Sequence, residues 1–193
     1  MDIILKDICK NFGGRKVLDG VSCRFEEGSV SCIMGPSGCG KTTLLNILAG
    51  LVAPDAGCVS GTAGRRMAYA FQEPRLVPWK NVSGNVALAL PGKDGDTQAR
   101  RFLEIVGLSD SAEELPANLS GGMAQRVSLA RALAADAGIL LLDEPFSAID
   151  PALKEEIMGR LKVIFRESGM TVIMVTHSPE EADFFGSTIV NLG

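Results

Sequence analysis

The sequence predicts an α/β fold built on a mostly parallel sheet with helices on both faces, and three stretches carry that prediction. The first is Gly35-Pro36-Ser37-Gly38-Cys39-Gly40-Lys41-Thr42-Thr43, set between an apolar run, Val30–Met34, and a helix-like run at 43–51. The second is Ile139-Leu140-Leu141-Leu142, apolar on every side as a strand covered on both faces should be, and ended by Asp143-Glu144-Pro145. The third is Thr171-Val172-Ile173-Met174-Val175, another buried strand, followed by Thr176-His177-Ser178. Each strand ends in residues that bear chemistry.

At 193 residues the chain is long enough for one large α/β unit with a small insert. Apolar residues make up 46% of it, but in runs far below the ~20 consecutive residues that cross a bilayer. The start, Met1-Asp2-Ile3-Ile4-Leu5-Lys6, lacks the basic residues and long apolar core of a secretory signal, so the expectation is a protein that stays where it is made. The cysteines, Cys9, Cys23, Cys32, Cys39 and Cys58, are odd in number and form no C-x-x-C pair, which argues against disulfides and structural zinc. A net charge of −4 argues against a surface that neutralises nucleic-acid phosphates, and no nucleic-acid partner is expected.

Taken in order, residues 1–25 read as strand, turning at Gly13-Gly14 and alternating at Val21, Cys23 and Phe25. Glu26-Glu27-Gly28 reads as a hairpin-type connection, so a small antiparallel sheet is expected. Phe12, just before the first turn, could stack on an adenine, although an aromatic at such a place is more often part of the core. Pro54-Asp55-Ala56-Gly57 reads as a turn and 67–71 as a buried strand. Gln72-Glu73-Pro74-Arg75-Leu76-Val77-Pro78-Trp79, with two prolines and a polar start, is a shaped loop. Asn81 caps a helix over 82–90, Pro91-Gly92-Lys93-Asp94-Gly95-Asp96 breaks the chain, and a helical pattern resumes over 97–106. Ser120 caps a helix to about Ala135. Asp150 and Pro151 open a helix to about Ser168, closed by Gly169. Ser178 and Glu181 resemble a capping box around Pro179, and 188–192 is a last strand.

The stretch 35–43 fits G-x-x-x-x-G-K-[ST], in which glycines let backbone N–H groups turn inward and cradle phosphate oxygens at a helix start. Lys41 would reach the β- and γ-phosphates, and the Thr42 hydroxyl would help hold Mg²⁺, so the implied ligand is a nucleoside triphosphate. Gly121 and Gly122, just after Ser120, cost roughly 1 kcal/mol each relative to alanine inside a helix, so close approach of a ligand to bare backbone is the natural reason for them. Asp143 and Glu144 lie where open α/β sheets bind ligands, Asp143 suited to Mg²⁺ and Glu144 to orienting or deprotonating a water. His177 is the only histidine, and its place at a strand-to-helix junction beside those carboxylates marks it as functional.

The phosphate loop, Gln72, Leu119-Ser120-Gly121-Gly122-Met123-Ala124-Gln125-Arg126, the acidic strand end, Ser147-Ala148-Ile149-Asp150 and His177 occur together in one order. In that set the chain resembles the ATP-binding cassette (ABC) ATPases over essentially its whole length, and the eight-residue run at 119–126 is highly specific to that family. The resemblance implies a P-loop NTPase fold with a RecA-like sheet core, an N-terminal antiparallel β subdomain and a helical insert. It implies a single domain over 1–193: antiparallel β and Walker A core at 1–71, Q-loop and helical subdomain with the signature at 72–136, and Walker B, D-loop and H-loop core at 137–193.

Carried over residue by residue, the resemblance makes Phe12 the adenine-stacking ring and places Gly35, Pro36, Ser37, Gly38, Cys39, Gly40, Lys41, Thr42 and Thr43 in Walker A. Gln72 becomes the Q-loop residue at Mg²⁺ and the lytic water, Asp143 the Walker B aspartate, Glu144 the catalytic base and His177 the switch histidine at the γ-phosphate. Ser120, Gly121 and Gly122 would cover ATP held by a second cassette, packed head to tail in what is expected to be a homodimer. The 72–79 loop looks like that of bacterial import cassettes of the nitrate, sulfonate and taurine type. That likeness implies a transmembrane permease docking on this loop, a solute-binding protein, and a peripheral place on the cytoplasmic side of the inner membrane. Trp79 and Arg75 are residue types that suit such a contact, and Trp79 could equally close over the core of the helical insert. Against the family pattern, the stretch from Lys41 to Gln72 is short, as is the loop around Pro91, and the end soon after the last strand leaves no regulatory C-terminal domain expected.

The first functional expectation is therefore the ATPase subunit of an importer, with an exporter cassette as its variant. A soluble cassette ATPase of DNA repair or translation ranks below, since coiled-coil arms, zinc insertions and basic tails are missing. A kinase or GTPase switch would leave 119–126 without a role and lacks a guanine-reading Asn-Lys-x-Asp.

Overall fold

The computed structural model describes residues 1–90 and 95–192. Strands β1 (Ile3–Phe12) and β2 (Arg15–Phe25) pair antiparallel through a two-residue turn at Gly13 and Gly14, both at positive φ, as a tight hairpin between right-twisted strands requires. Strand β3 (Val30–Met34) then belongs to a different sheet, so 26–28 is not a hairpin connection. It is a tight crossing in which Ser29 N–H donates to the Glu26 carbonyl and Gly28 N–H to Thr171 Oγ1 at 3.0 Å. The local turn signal is real, but β3 gains burial on both faces only by leaving β2 for parallel partners.

Helix α1 (Lys41–Leu48) follows the loop at 35–40, and β4 (Ala56–Ser60) then completes the antiparallel sheet in the order β2-β1-β4. Ala56 and Gly57 therefore open an edge strand rather than only a turn. Four of the five β4 residues are exposed, so the strand shows no apolar alternation to read. Asp55 anchors it, accepting from Lys10 Nζ and Asn11 N–H at 2.7 Å each.

Strand β5 (Met67–Ala70) leads into helices α2 (Val82–Ala87), α3 (Gly95–Ile105) and α4 (Gly121–Ala134), which pack on one another. Asn81 caps α2 as expected, accepting from Gly84 N–H at 2.7 Å, though the helix ends before Leu90. Of the expected chain break at 91–96, residues 91–94 lie outside the described residues. Gly95 and Asp96 are already helical, the Asp96 carboxylate in the first turn accepting from Ser83 Oγ at 2.7 Å.

The chain closes with β6 (Ile139–Asp143), α5 (Pro151–Ser168), β7 (Thr171–Val175), α6 (Pro179–Phe185) and β8 (Thr188–Asn191). The five-stranded sheet has the order β5-β6-β7-β3-β8 and every pair is parallel. Side chains of alternate parity divide between two cores, because a strand turns successive residues to opposite faces. Ile33, Leu141, Ile173 and Val175 pack with α1 and the antiparallel sheet. Cys32, Leu140, Leu142, Val172 and Met174 pack with α4, α5 and α6. Parallel pairing also sends the C-terminal ends of β3, β5, β6 and β7 to one edge, and the chemistry-bearing loops gather there.

Candidate active site

The floor of the site is the turn from β3 into α1. Gly40 sits at φ 104° just before Lys41, and a β-carbon there would lie 2.7 Å from Leu18 Cδ2, so both conformation and space call for glycine. No side chain caps α1, which leaves its first N–H groups free for an anion. The buried Lys41 ammonium bends back over the loop, donating to the carbonyls of Gly35 at 2.9 Å and Pro36 at 2.8 Å, with Cys39 Sγ at 4.0 Å.

The walls come from the neighbouring strand ends. Val17, Ser37, Gly38, Gly40, Lys41, Thr42, Thr43, Gln72, Glu144 and His177 line one cleft of about 310 Å³. Across it His177 Nε2 stands 3.0 Å from Glu144 Oε1. His177 is carried by the turn between β7 and α6, where Ser178 Oγ accepts from Glu181 N–H at 3.3 Å. Only half of the expected capping box forms. The Glu181 carboxylate turns instead to Thr176 Oγ1 and Lys154 Nζ, bracing the residue before His177.

Asp143 lies beneath the cleft, 1% exposed. Burial raises its carboxyl above the usual range, against the pull of the Thr42 hydroxyl, while the neighbouring Glu144 charge raises it further. The Tyr69 hydroxyl stands 3.5 Å from Oδ2, whereas Oδ1 is buried with no partner. An orphaned carboxylate oxygen beside a threonine hydroxyl is a donor set that fits a hard cation such as Mg²⁺, which takes one or two carboxylates and completes its shell with phosphate and water. Among the described residues no cluster of three or more His, Cys, Asp or Glu side chains forms an all-protein metal cage.

Two predicted groups lie elsewhere. Phe12 is exposed at the end of β1 with the Lys10 ammonium 5.3 Å from its ring centroid, and it is not among the cleft-lining residues. Ser120 and Gly121 are exposed at the start of α4, where Ser120 Oγ accepts from Met123 N–H at 3.2 Å, and they do not line the cleft either. Val17, in the cleft wall, and Tyr69, beside Asp143, join the site with no motif in the sequence to mark them.

A phosphate-cradling loop, a free helix start, a buried carboxylate and a carboxylate–imidazole pair on one sheet edge define a P-loop nucleotide-binding protein. The family profile described as ABC transporter matches residues 18–147. The aliphatic sulfonates import ATP-binding protein SsuB of Albidiferax ferrireducens is 44% identical over 186 residues, 93% of this chain and 66% of the relative. The sulfate/thiosulfate import ATP-binding protein CysA 2 of Chromobacterium violaceum is 43% identical over 188 residues, 91% of this chain and 51% of the relative. The chain thus spans about two thirds of the one relative and about half of the other. Two solved structures of the bacterial ABC transporter cassette MJ0796, one dimeric and one dimeric in a post-hydrolysis state with ADP and Pi, match with a TM-score of 0.88 at 33% identity, covering 98% of this chain and 94% of theirs. The chain belongs to the ABC transporter family, as an ATP-binding ATPase cassette.

Proposed function

We propose that this cassette hydrolyses ATP to drive an importer of a small oxyanion-bearing solute, with an alkyl sulfonate as the preferred cargo. The observation that carries the hydrolytic part is the 3.0 Å pairing of Glu144 with His177 above the loop that holds Lys41. Backbone N–H groups of the loop and the start of α1 receive the phosphates, and the Lys41 ammonium exchanges its loop carbonyls for phosphate oxygens. Asp143, Thr42 and Gln72 would hold Mg²⁺, which would supply positive charge against the phosphates. Glu144 orients and deprotonates the attacking water, and His177 bridges the Glu144 carboxylate to the γ-phosphate.

The sulfonate and sulfate importers named among the relatives support the cargo. Exposed Ser120 and Gly121 support a head-to-tail pair, in which each copy lends its α4 start to the other's nucleotide, as does the dimeric state of the MJ0796 cassette. The permease docks on the 72–79 loop. Trp79 there is 78% exposed rather than folded over the helices, and Arg75 stacks its guanidinium 4.1 Å from the Phe71 ring centroid. The chain so placed is peripheral to the membrane, and no helix among the described residues is long and apolar enough to cross one.

The test is phosphate release from Mg²⁺ and ATP by the purified chain and by Glu144→Gln. Turnover should fall by about 10²–10⁴ while binding of a fluorescent ATP analogue persists. An unaltered rate would remove Glu144 as the base.

A further inference from the structure

Glu144 holds its backbone at φ 50°, a left-handed conformation that a residue with a side chain adopts only when its surroundings enforce it. Few groups do the enforcing. Its N–H donates to the Val175 carbonyl at 3.0 Å, and its own carbonyl accepts from Ser147 N–H at 3.3 Å and Ser147 Oγ at 3.0 Å. The remaining donor comes from a different element: Gln125 of α4 gives its Nε2–H to the Glu144 carbonyl at 2.5 Å, with Ser147 Oγ 3.3 Å away. Gln125 is 5% exposed and does not line the cleft, so its contribution reaches the chemistry only through Glu144.

The same turn of α4 touches this segment a second time. A β-carbon on Gly122 would collide with the Ala148 carbonyl, so glycine lets the helix start lie directly on the 144–148 turn. Residues 122–125 are thereby fastened to the segment bearing the general base, while Ser120 and Gly121, one step earlier, face solvent.

We propose that Gln125 is a positioning residue for hydrolysis. It fixes the main chain under Glu144, and hence the direction of the carboxylate that meets His177, and it couples that setting to the helix start offered to a second copy. The inference rests on the hydrolytic function proposed above. Without the amide donor Glu144 relaxes toward an ordinary backbone conformation and its carboxylate swings off the imidazole. Nucleotide binding, which depends on the loop and α1, is untouched.

Two substitutions test this in the full chain. Gln125→Met keeps the length of the side chain and donates nothing, and Gln125→Glu keeps its shape and sets a carboxylate oxygen against the carbonyl. With Mg²⁺ and ATP, kcat should fall about tenfold or more in both, with KM and the affinity for a fluorescent ATP analogue within about twofold of the parent. In a Glu144→Gln background, followed by single turnover of radiolabelled ATP, either substitution should cost nothing more, because it acts through a carboxylate already gone. Parental kcat in both variants, weakened ATP affinity, or an equal loss in both backgrounds overturns the proposal. Should Gln125→Met fail to fold, Gln125→Glu carries the same test. A parent chain that hydrolyses no ATP removes the proposed function and this inference together, whereas a hydrolysing parent with indifferent variants removes the inference alone.

Discussion

Lys41 has three N–H bonds to give, and in this structure two of them go to the carbonyls of Gly35 and Pro36. An incoming phosphate competes with those carbonyls and wins because it sets a full negative charge against the ammonium where a neutral carbonyl sets only a dipole. Lys41→Ala should therefore weaken ATP binding by about 10–100-fold in a calorimetric titration, the range that one bond to a charged group supports. Unchanged affinity would contradict the phosphate-loop assignment. The cysteines allow a second test at this scale. Burial pushes the Cys23 thiol up to about 11 and raises that of Cys32, so at mildly alkaline pH both hold little thiolate, whereas Cys58 is exposed. Alkylation followed by mass spectrometry should modify Cys58 first and Cys23 and Cys32 last, with denaturant abolishing the order. Equal labelling of Cys23 and Cys58 in the native chain would contradict it. Lys41, Thr42, Gln72, Glu144 and His177 are legible in the amino-acid sequence because each sits in a local motif. Tyr69 is not, since its hydroxyl reaches Asp143 only through the pairing of Tyr69 with Leu141 across two strands about 70 residues apart in sequence, a register that no local pattern states.

Among the elements, helix starts are the most readable features, since a cap is a contact between residues three apart. Asp150 accepts from Leu153 N–H at 3.1 Å, Pro151 occupies the first turn, and Gly169 closes α5 in the left-handed conformation. Asp150→Ala should cost about 1 kcal/mol. By scanning calorimetry that is a fall of about 2–4 °C in Tm for a chain of this size, and an unmoved Tm would contradict the capping role. Strands are harder to read where their partners lie far away. The connection at 26–28 carries a turn signal that is correct locally and misleading about which sheet comes next, and β4 shows little pattern because nearly all of it faces solvent. In β6 and β7 the continuous apolar runs announce burial on both faces. Their division between two cores emerges only when the sheet is assembled.

At the scale of the whole molecule, one chain carries two helix starts proposed to receive a phosphate, and they do not line one cleft. The first lies in the cleft with Lys41 and Glu144, and the second, at Ser120 and Gly121, faces outward. In the head-to-tail pair proposed above, a second copy would bring them together on one triphosphate, and hydrolysis would then remove the group bridging the two halves. Motif order makes both starts visible in the sequence, but no motif states that they stand apart within one chain, Ser120 and Gly121 being absent from the cleft that Lys41 lines. The most direct test mixes two inactive proteins, Lys41→Ala and Ser120→Arg. In a mixed pair the intact loop of one faces the intact serine of the other, so the mixture should hydrolyse ATP faster than either variant alone. A mixture as inactive as its two components would contradict the shared site.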